Sequence, residues 1–254
     1  MHVARPLVVA LVSILLLAGC AEMMADSLDA LMRQGIELFT ARRYDEAIAK
    51  FREVVRLDPQ FWNAYLYMAR SFIAKGSWGD ALTSGRQAFS LAPNSGEVIV
   101  VLAEALLGAG IDALARRQFP EAIGHFGEYV KLRPSDAQGY VQLGRAFLGS
   151  GNYGDALRTI VQGLAQASDA GARAQLVRGL LDGGVQALSA GNAKAAVALL
   201  QEYVRHDSSN VSAYLNLGKA LWQDGNVASA LGAFQRVLEL NPNDAEALQF
   251  LRRR

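Results

Sequence analysis

The sequence predicts an all-α protein built from repeated helix–turn–helix units. Three observations predict it. Apolar residues recur at helical spacing on both sides of short breaks, the breaks are rich in glycine, asparagine and aspartate, and the pattern returns six times along the chain. Such a hairpin has an apolar face that it cannot bury alone, so it must stack on neighbours of its own kind. The chain has 254 residues, 52% hydrophobic and 19% charged, which suits one or two folded domains.

The clearest unit runs from Val211 to Pro242. Tyr214, Leu217 and Leu221 mark a first helix, Ala230, Phe234 and Val237 a second, and Asp224-Gly225-Asn226 the break between them. Gly218 and Ala230 are small where two helices must approach closely, and Pro242 stops the second helix. These positions resemble the tetratricopeptide repeat. That pattern of ~34 residues sets a large residue, Leu-Gly, another large residue, Ala, Phe and Pro at fixed offsets. Here the offsets hold Tyr214, Leu217-Gly218, Leu221, Ala230, Phe234 and Pro242. The resemblance covers about 28–254 and implies a right-handed α-solenoid of about six repeats, two of them elongated, with a short C-terminal capping helix.

Taken in order, the chain opens with a different kind of segment. Arg5 precedes an apolar run of 11 residues, Leu7 to Leu17, broken only by Ser13. A spanning helix needs ~20 residues, so the run reads as the core of a secretory signal. Leu17-Ala18-Gly19-Cys20 resembles the lipobox of bacterial lipoproteins. That resemblance implies a signal peptide over 1–19, cleavage before Cys20, acylation of Cys20 and a tether over 20–27. Cys20 is the single cysteine, so no internal disulfide is available. With Ala21 after it, the same resemblance implies the outer membrane, with the folded part facing the periplasm.

The first repeat, about 28–60, carries Leu31, Gly35, Leu38, Ala47, Phe51 and Pro59. The second, about 61–95, carries Tyr65, Met68-Ala69, Phe72, Ala81, Ala88 and Pro93, with Gly85 where Phe is usual. That departure predicts thin packing of its second helix. Tyr44, Trp78 and Tyr153 fall at inter-helix turns and read as packing groups. The third repeat, about 96–136, has seven extra residues, so Glu97 to Arg116 reads as one long helix capped by Asn94-Ser95-Gly96-Glu97. Pro120 then opens its second helix at a tolerated position.

The fourth repeat, about 137–169, is regular, with Tyr140, Leu143-Gly144, Phe147 and Ala156. The fifth, about 170–210, has a six-residue excess and puts Gly183-Gly184 where Leu-Gly is usual. The sixth is 211–244, and 245–254 forms the cap, started by Asn243 with Glu246 three residues on. Tyr65, Tyr140 and Tyr214 lie 75 and 74 residues apart, so a regular repeat alternates with an elongated one. The segments 128–147 and 202–221 align without a gap. A two-repeat unit has been duplicated.

Chemistry is sparse. The 25 basic and 24 acidic residues nearly cancel, which gives no nucleic-acid footprint. His125 and His206 lie on different repeats without a neighbouring ligand at metal spacing. No glycine-rich phosphate loop follows a strand. The expectation is therefore no enzyme, no cofactor, no metal and no small-molecule substrate.

What remains is a binding surface. The family resemblance implies that first helices line a concave groove. The groove offsets read Leu66, Arg70 and Ile73, then Val141, Arg145 and Leu148, then Leu215, Lys219 and Trp222. The other repeats supply Met32, Ile36 and Phe39, Leu107, Ile111 and Leu114, and Leu181, Val185 and Leu188. The groove is thus apolar, with Arg70, Arg145 and Lys219 as a cationic series able to meet carboxylates. Size, lipobox and repeat count resemble the short repeat lipoproteins of the envelope, including the type IV pilus lipoproteins that act as pilotins for a secretin. The implied function is a membrane-anchored scaffold that binds envelope proteins and assists assembly of an outer-membrane complex. The alternative is an adaptor for peptidoglycan hydrolases or for an outer-membrane protein or polysaccharide export complex.

Overall fold

The computed structural model describes residues 27–252, so the signal segment 1–19, Cys20 and nearly all of the tether lie outside the described residues. Helices follow one another in pairs. They are α1 (27–40) and α2 (Tyr44–Leu57), α3 (Trp62–Ala74) and α4 (Trp78–Leu91), α5 (Gly96–Ala115) and α6 (Phe119–Leu132). Then come α7 (Ala137–Gly149) and α8 (Tyr153–Gln166), α9 (Ala170–Ser189) and α10 (Ala193–His206), α11 (Val211–Gln223) and α12 (Val227–Leu240), and the closing α13 (Ala245–Arg252). No strand occurs among the described residues. The all-α fold class holds.

The regular first helices α3, α7 and α11 have 13 residues each, whereas α5 and α9 have 20. Seven more residues are about two more turns. Pro120 stands within the first turn of α6, where its missing N–H costs nothing.

The turn inside each pair uses one backbone device. Gly76, Gly151, Gly191 and Gly225 all have positive φ, from 69° to 82°, and Arg42 and Arg117 occupy the same place at 59° and 60°. The left-handed conformation reverses the chain in a few residues, and only glycine adopts it without strain.

Two expected helix caps are corrected. Ser95, not Asn94, caps α5: its hydroxyl accepts from Val98 N–H at 3.4 Å. Asp244, not Asn243, caps α13, accepting from Ala247 N–H at 3.0 Å. Each cap lies one residue later than expected, so the glutamate read as the capping partner falls at the second helical position. There it cannot reach back to the cap N–H.

The chain divides into two compact units, Met1–Gly108 and Ala109–Arg254, with the boundary inside α5. In the first, Phe51 of α2 is fully buried against Gly35, and Tyr67 of α3 lies 5.5 Å from it between ring centroids. A second cluster joins Leu66, Ala69, Ala88, Val98 and Val101. The thin packing expected at Gly85 is not found. Leu102 of α5 moves into the space, and a Cβ on Gly85 would meet its Cδ1 at 3.3 Å and its Cα at 3.6 Å. Trp78 packs its ring on Gly108, which answers to its reading as a packing group.

In the second unit one continuous core runs from α7 to α13 and includes Ile160, Leu176, Leu180, Leu199, Leu200 and Phe234. The unusual Gly183-Gly184 pair has a physical reason. Leu148 of α7 lies against the first glycine and Leu200 of α10 against the second, and a Cβ on either would come within 2.5 Å. By length and composition α5 alone among the described helices is apolar enough to cross a membrane. Val98, Val101, Leu102 and Leu106 are nonetheless buried in the protein, as in the core helix of a repeat.

Candidate functional site

The candidate site residues lie on the first helices α3, α7 and α11, of which α3 belongs to the first unit and α7 and α11 to the second. Helices α7 and α11 start at side-chain caps, and α7 is also held at its far end. Asp136 caps α7, accepting from Gln138 N–H at 3.0 Å and from Tyr129 Oη–H at 2.6 Å. Burial, joined by this bond to the carboxylate, pushes the Tyr129 phenol up to about 12. Asn210 caps α11 in the same register, accepting from Ala213 N–H at 3.0 Å while its amide donates to Tyr203 Oη at 2.9 Å. The Tyr203 phenol is also pushed up, first by burial and then by its bond to Asp207. Asp207 is held low by the Ser209 hydroxyl and backbone N–H. At the other end of α7, Gln186 of α9 donates to the Leu148 carbonyl at 3.2 Å.

Each predicted trio is brought onto one helix face, but the three faces have different surroundings. In α3, Leu66 is fully buried and Ile73 half-buried, and Arg70 Nη2 donates to Glu97 Oε1 at 2.6 Å. Arg70 also lies 5.2 Å from the Tyr67 ring centroid. In α11, Lys219 Nζ pairs with Glu246 Oε1 at 2.7 Å, Leu215 is half-buried, and Trp222 meets the Phe250 ring edge-on at 5.4 Å. Helix α13 thus covers that face.

In α7, Val141 and Leu148 are buried and Arg145 is exposed. These three border an open cleft of about 350 Å³ whose other wall is Gln175, Arg178, Gly179 and Asp182 of α9. Arg178 and Asp182 lie 3.6 Å apart. A wider cavity of about 740 Å³ follows the first half of α9 to the end of α10, lined among others by Arg173, Val177, Leu181, Tyr203 and His206. His206 closes α10 and faces Glu202 at 3.4 Å, which Arg205 also contacts at 2.7 Å.

Of the remaining offsets, Ile111 and Val185 are 47% and 37% exposed, while Met32 is buried. Sequence reasoning missed Glu97, Glu246, Gln175, Arg178 and Asp182. The signal for the two glutamates was available, since each lies 27 positions after a cation of the series. Among the described residues no group of His, Cys, Asp and Glu is arranged to hold a metal ion.

Paired helices with a shared turn device and a core built between successive pairs define a helical-repeat scaffold for protein–protein interaction. The chain belongs to the tetratricopeptide repeat family, whose model matches residues 32–95, 107–172 and 181–245. The three matches begin 75 and 74 positions apart, in step with the two-repeat period.

Among solved structures, a Naa15/Naa10 complex bound to HypK-THB is similar, with TM-score 0.56 and 16% identity over 92% of this chain and 35% of that one. PilW, described as a type IV pilus biogenesis factor, has TM-score 0.39 and 19% identity over 88% of this chain and 98% of its own. PilF of Pseudomonas aeruginosa has TM-score 0.38 and 15% identity over 91% and 99%. At these identities the likeness concerns the fold. No curated protein is significantly similar to the chain.

Proposed function

We propose that this chain is a lipid-anchored scaffold of the bacterial outer membrane, facing the periplasm and assisting assembly of an outer-membrane complex in the manner of a pilotin. The observation that carries the reading is Cys20. It is the single cysteine, it ends Leu17-Ala18-Gly19-Cys20 after an 11-residue apolar run, and the first repeat helix is already under way at Ser27. One acyl chain binds a bilayer only marginally, so the several chains of a lipoprotein cysteine would be needed for stable anchoring. With Ser27 already helical, the tether is the six residues Ala21 to Asp26, which reach ~20 Å at full extension and keep the repeats near the bilayer. The mechanism is capture and positioning of a protein partner, with no bond made or broken.

The test is fractionation of cells carrying the chain or its Cys20→Ala variant, followed by detergent extraction and mass spectrometry of co-purifying proteins. The anchored chain should sediment with outer membranes and the variant should not. A secretin as main partner supports the pilotin reading. Cell-wall hydrolases or export proteins would replace it with an adaptor role. A Cys20→Ala protein that stays in the membrane would overturn the lipid anchor.

A further inference from the structure

Three first helices carry a cation at one register, and the chain itself answers two of them. Glu97 meets Arg70 at 2.6 Å, and Glu246 meets Lys219 at 2.7 Å. Both glutamates are second residues of their helices, 27 positions after the cation. Neither is engaged in capping, because Ser95 and Asp244 serve as caps. An apolar contact accompanies each pair. Ile73, three residues after Arg70, packs on the cluster holding Val101, four residues after Glu97. Trp222, three after Lys219, meets Phe250, four after Glu246.

The third copy is incomplete. Its apolar half is present: Leu148, three residues after Arg145, shares a buried core with Leu176 of α9. Its acid is missing. The residue 27 positions after Arg145 is Ala172, and the first turn of α9 carries no acidic residue. Among the described residues Arg145 has neither ion pair nor hydrogen bond. Arg178 and Asp182 across the cleft are near enough to offset one another, so the net charge there is that of Arg145.

We propose that the Arg145 cleft receives an aspartate or glutamate side chain from a partner polypeptide, in the place that Glu97 and Glu246 fill in the other two copies. The proposal rests on the scaffold reading and names what the partner must bring. A side chain is favoured over a chain terminus because both filled copies use one. The apolar contact already being made, the partner has only to supply the carboxylate at the cleft mouth. A guanidinium–carboxylate contact is charge-assisted and suited to two parallel hydrogen bonds.

The test is a displayed library of random short peptides, joined to the carrier through their C-termini so that only side chains offer carboxylates. It is panned on the full chain and counter-panned on Arg145→Ala. Enriched peptides should hold an acid at one fixed position. A synthetic representative should lose about tenfold or more in affinity when its acid becomes the amide, and as much on Arg145→Ala, whereas Arg145→Lys keeps most of the binding and Lys194→Ala, at an exposed cation of α10 outside the cleft, leaves it unchanged. Enrichment that survives Arg145→Ala overturns the proposal, as does enrichment only in a parallel library with free C-termini. A library with no binders, beside a membrane extraction that does recover a partner, overturns this site and leaves the scaffold standing.

Discussion

Gly218 of α11 lies so close to Phe234 of α12 that a Cβ on the glycine would fall 2.6 Å from the ring. The same approach joins Gly35 to Phe51 and Gly110 to Phe126. In each pair a fully buried ring rests on the bare backbone of the facing helix. Gly218→Ala should cost ~1–3 kcal/mol, because packed helices absorb an extra methyl only by moving apart or bending a rotamer. Urea unfolding measures it. Phe234→Leu added to Gly218→Ala should be less destabilising than the two single changes summed. Strict additivity would mean that the close approach does not join the two helices.

The turn device gives a prediction of opposite sign for one substitution. Gly151 has φ +78° and nothing within 4 Å of a Cβ, so Gly151→Ala meets no clash and suffers only backbone strain. It should cost ~1–2 kcal/mol. Gly124 lies inside α6 with equally open space and no positive φ. There Gly→Ala should stabilise by ~0.5–1 kcal/mol. Thermal melts of both variants check the contrast.

The Tyr129–Asp136 bond predicts a pH dependence. The phenol ionises at about 12 in the folded chain and near 10 in the unfolded one. The stability linked to it is complete below pH 10 and is lost as pH rises towards 12, because the unfolded state releases the proton first. Tyr129→Phe should therefore be less stable than the wild type by ~1 kcal/mol at neutral pH. The gap should close across that alkaline window. A gap that stays constant in melts from pH 9 to 12 would exclude the linkage.

Helix α13 is held by rings and by one ion pair. Phe250 stacks on Phe234 at 4.4 Å and meets Trp222 at 5.4 Å. Phe250→Ala should cost ~1–3 kcal/mol in ring contacts and burial and shift Trp222 emission to the red. Lys219→Gln should cost less than ~1 kcal/mol, since Glu246 in its pair is 44% exposed and water screens the contact. Fluorescence-detected unfolding of the two variants orders them.

Most of the fold was legible because the repeat positions carry their own physics. A glycine facing a phenylalanine, a small residue beneath it and a glycine in the turn can each be read from one chain. The elongated helices were legible as spacing, since the excess between successive Pro and Phe positions had to become helical turns. Gly85 was misread because the residue that fills its space, Leu102, comes from an inserted part of the next helix, for which the repeat pattern makes no provision. The site was half legible. Arg70, Arg145 and Lys219 stood out by register, but register does not say what faces a side chain. Glu97 and Glu246 were taken for capping groups because asparagine stands three residues before each, and a one-residue shift of the cap released both for the cations.

The alternation of 13- and 20-residue first helices also governs how such a chain changes length. Removing residues 62–136 as a block would lead α2 into the regular helix α7, the kind of helix that follows it now. Removing only 137–169 would lead α6, which closes a long pair, into the long helix α9, a junction that occurs nowhere among the described helices. Removing a regular and a long repeat together preserves every type of joint, whereas removing the regular repeat between two long ones requires a new one. The molecule is modular, but its module is the pair.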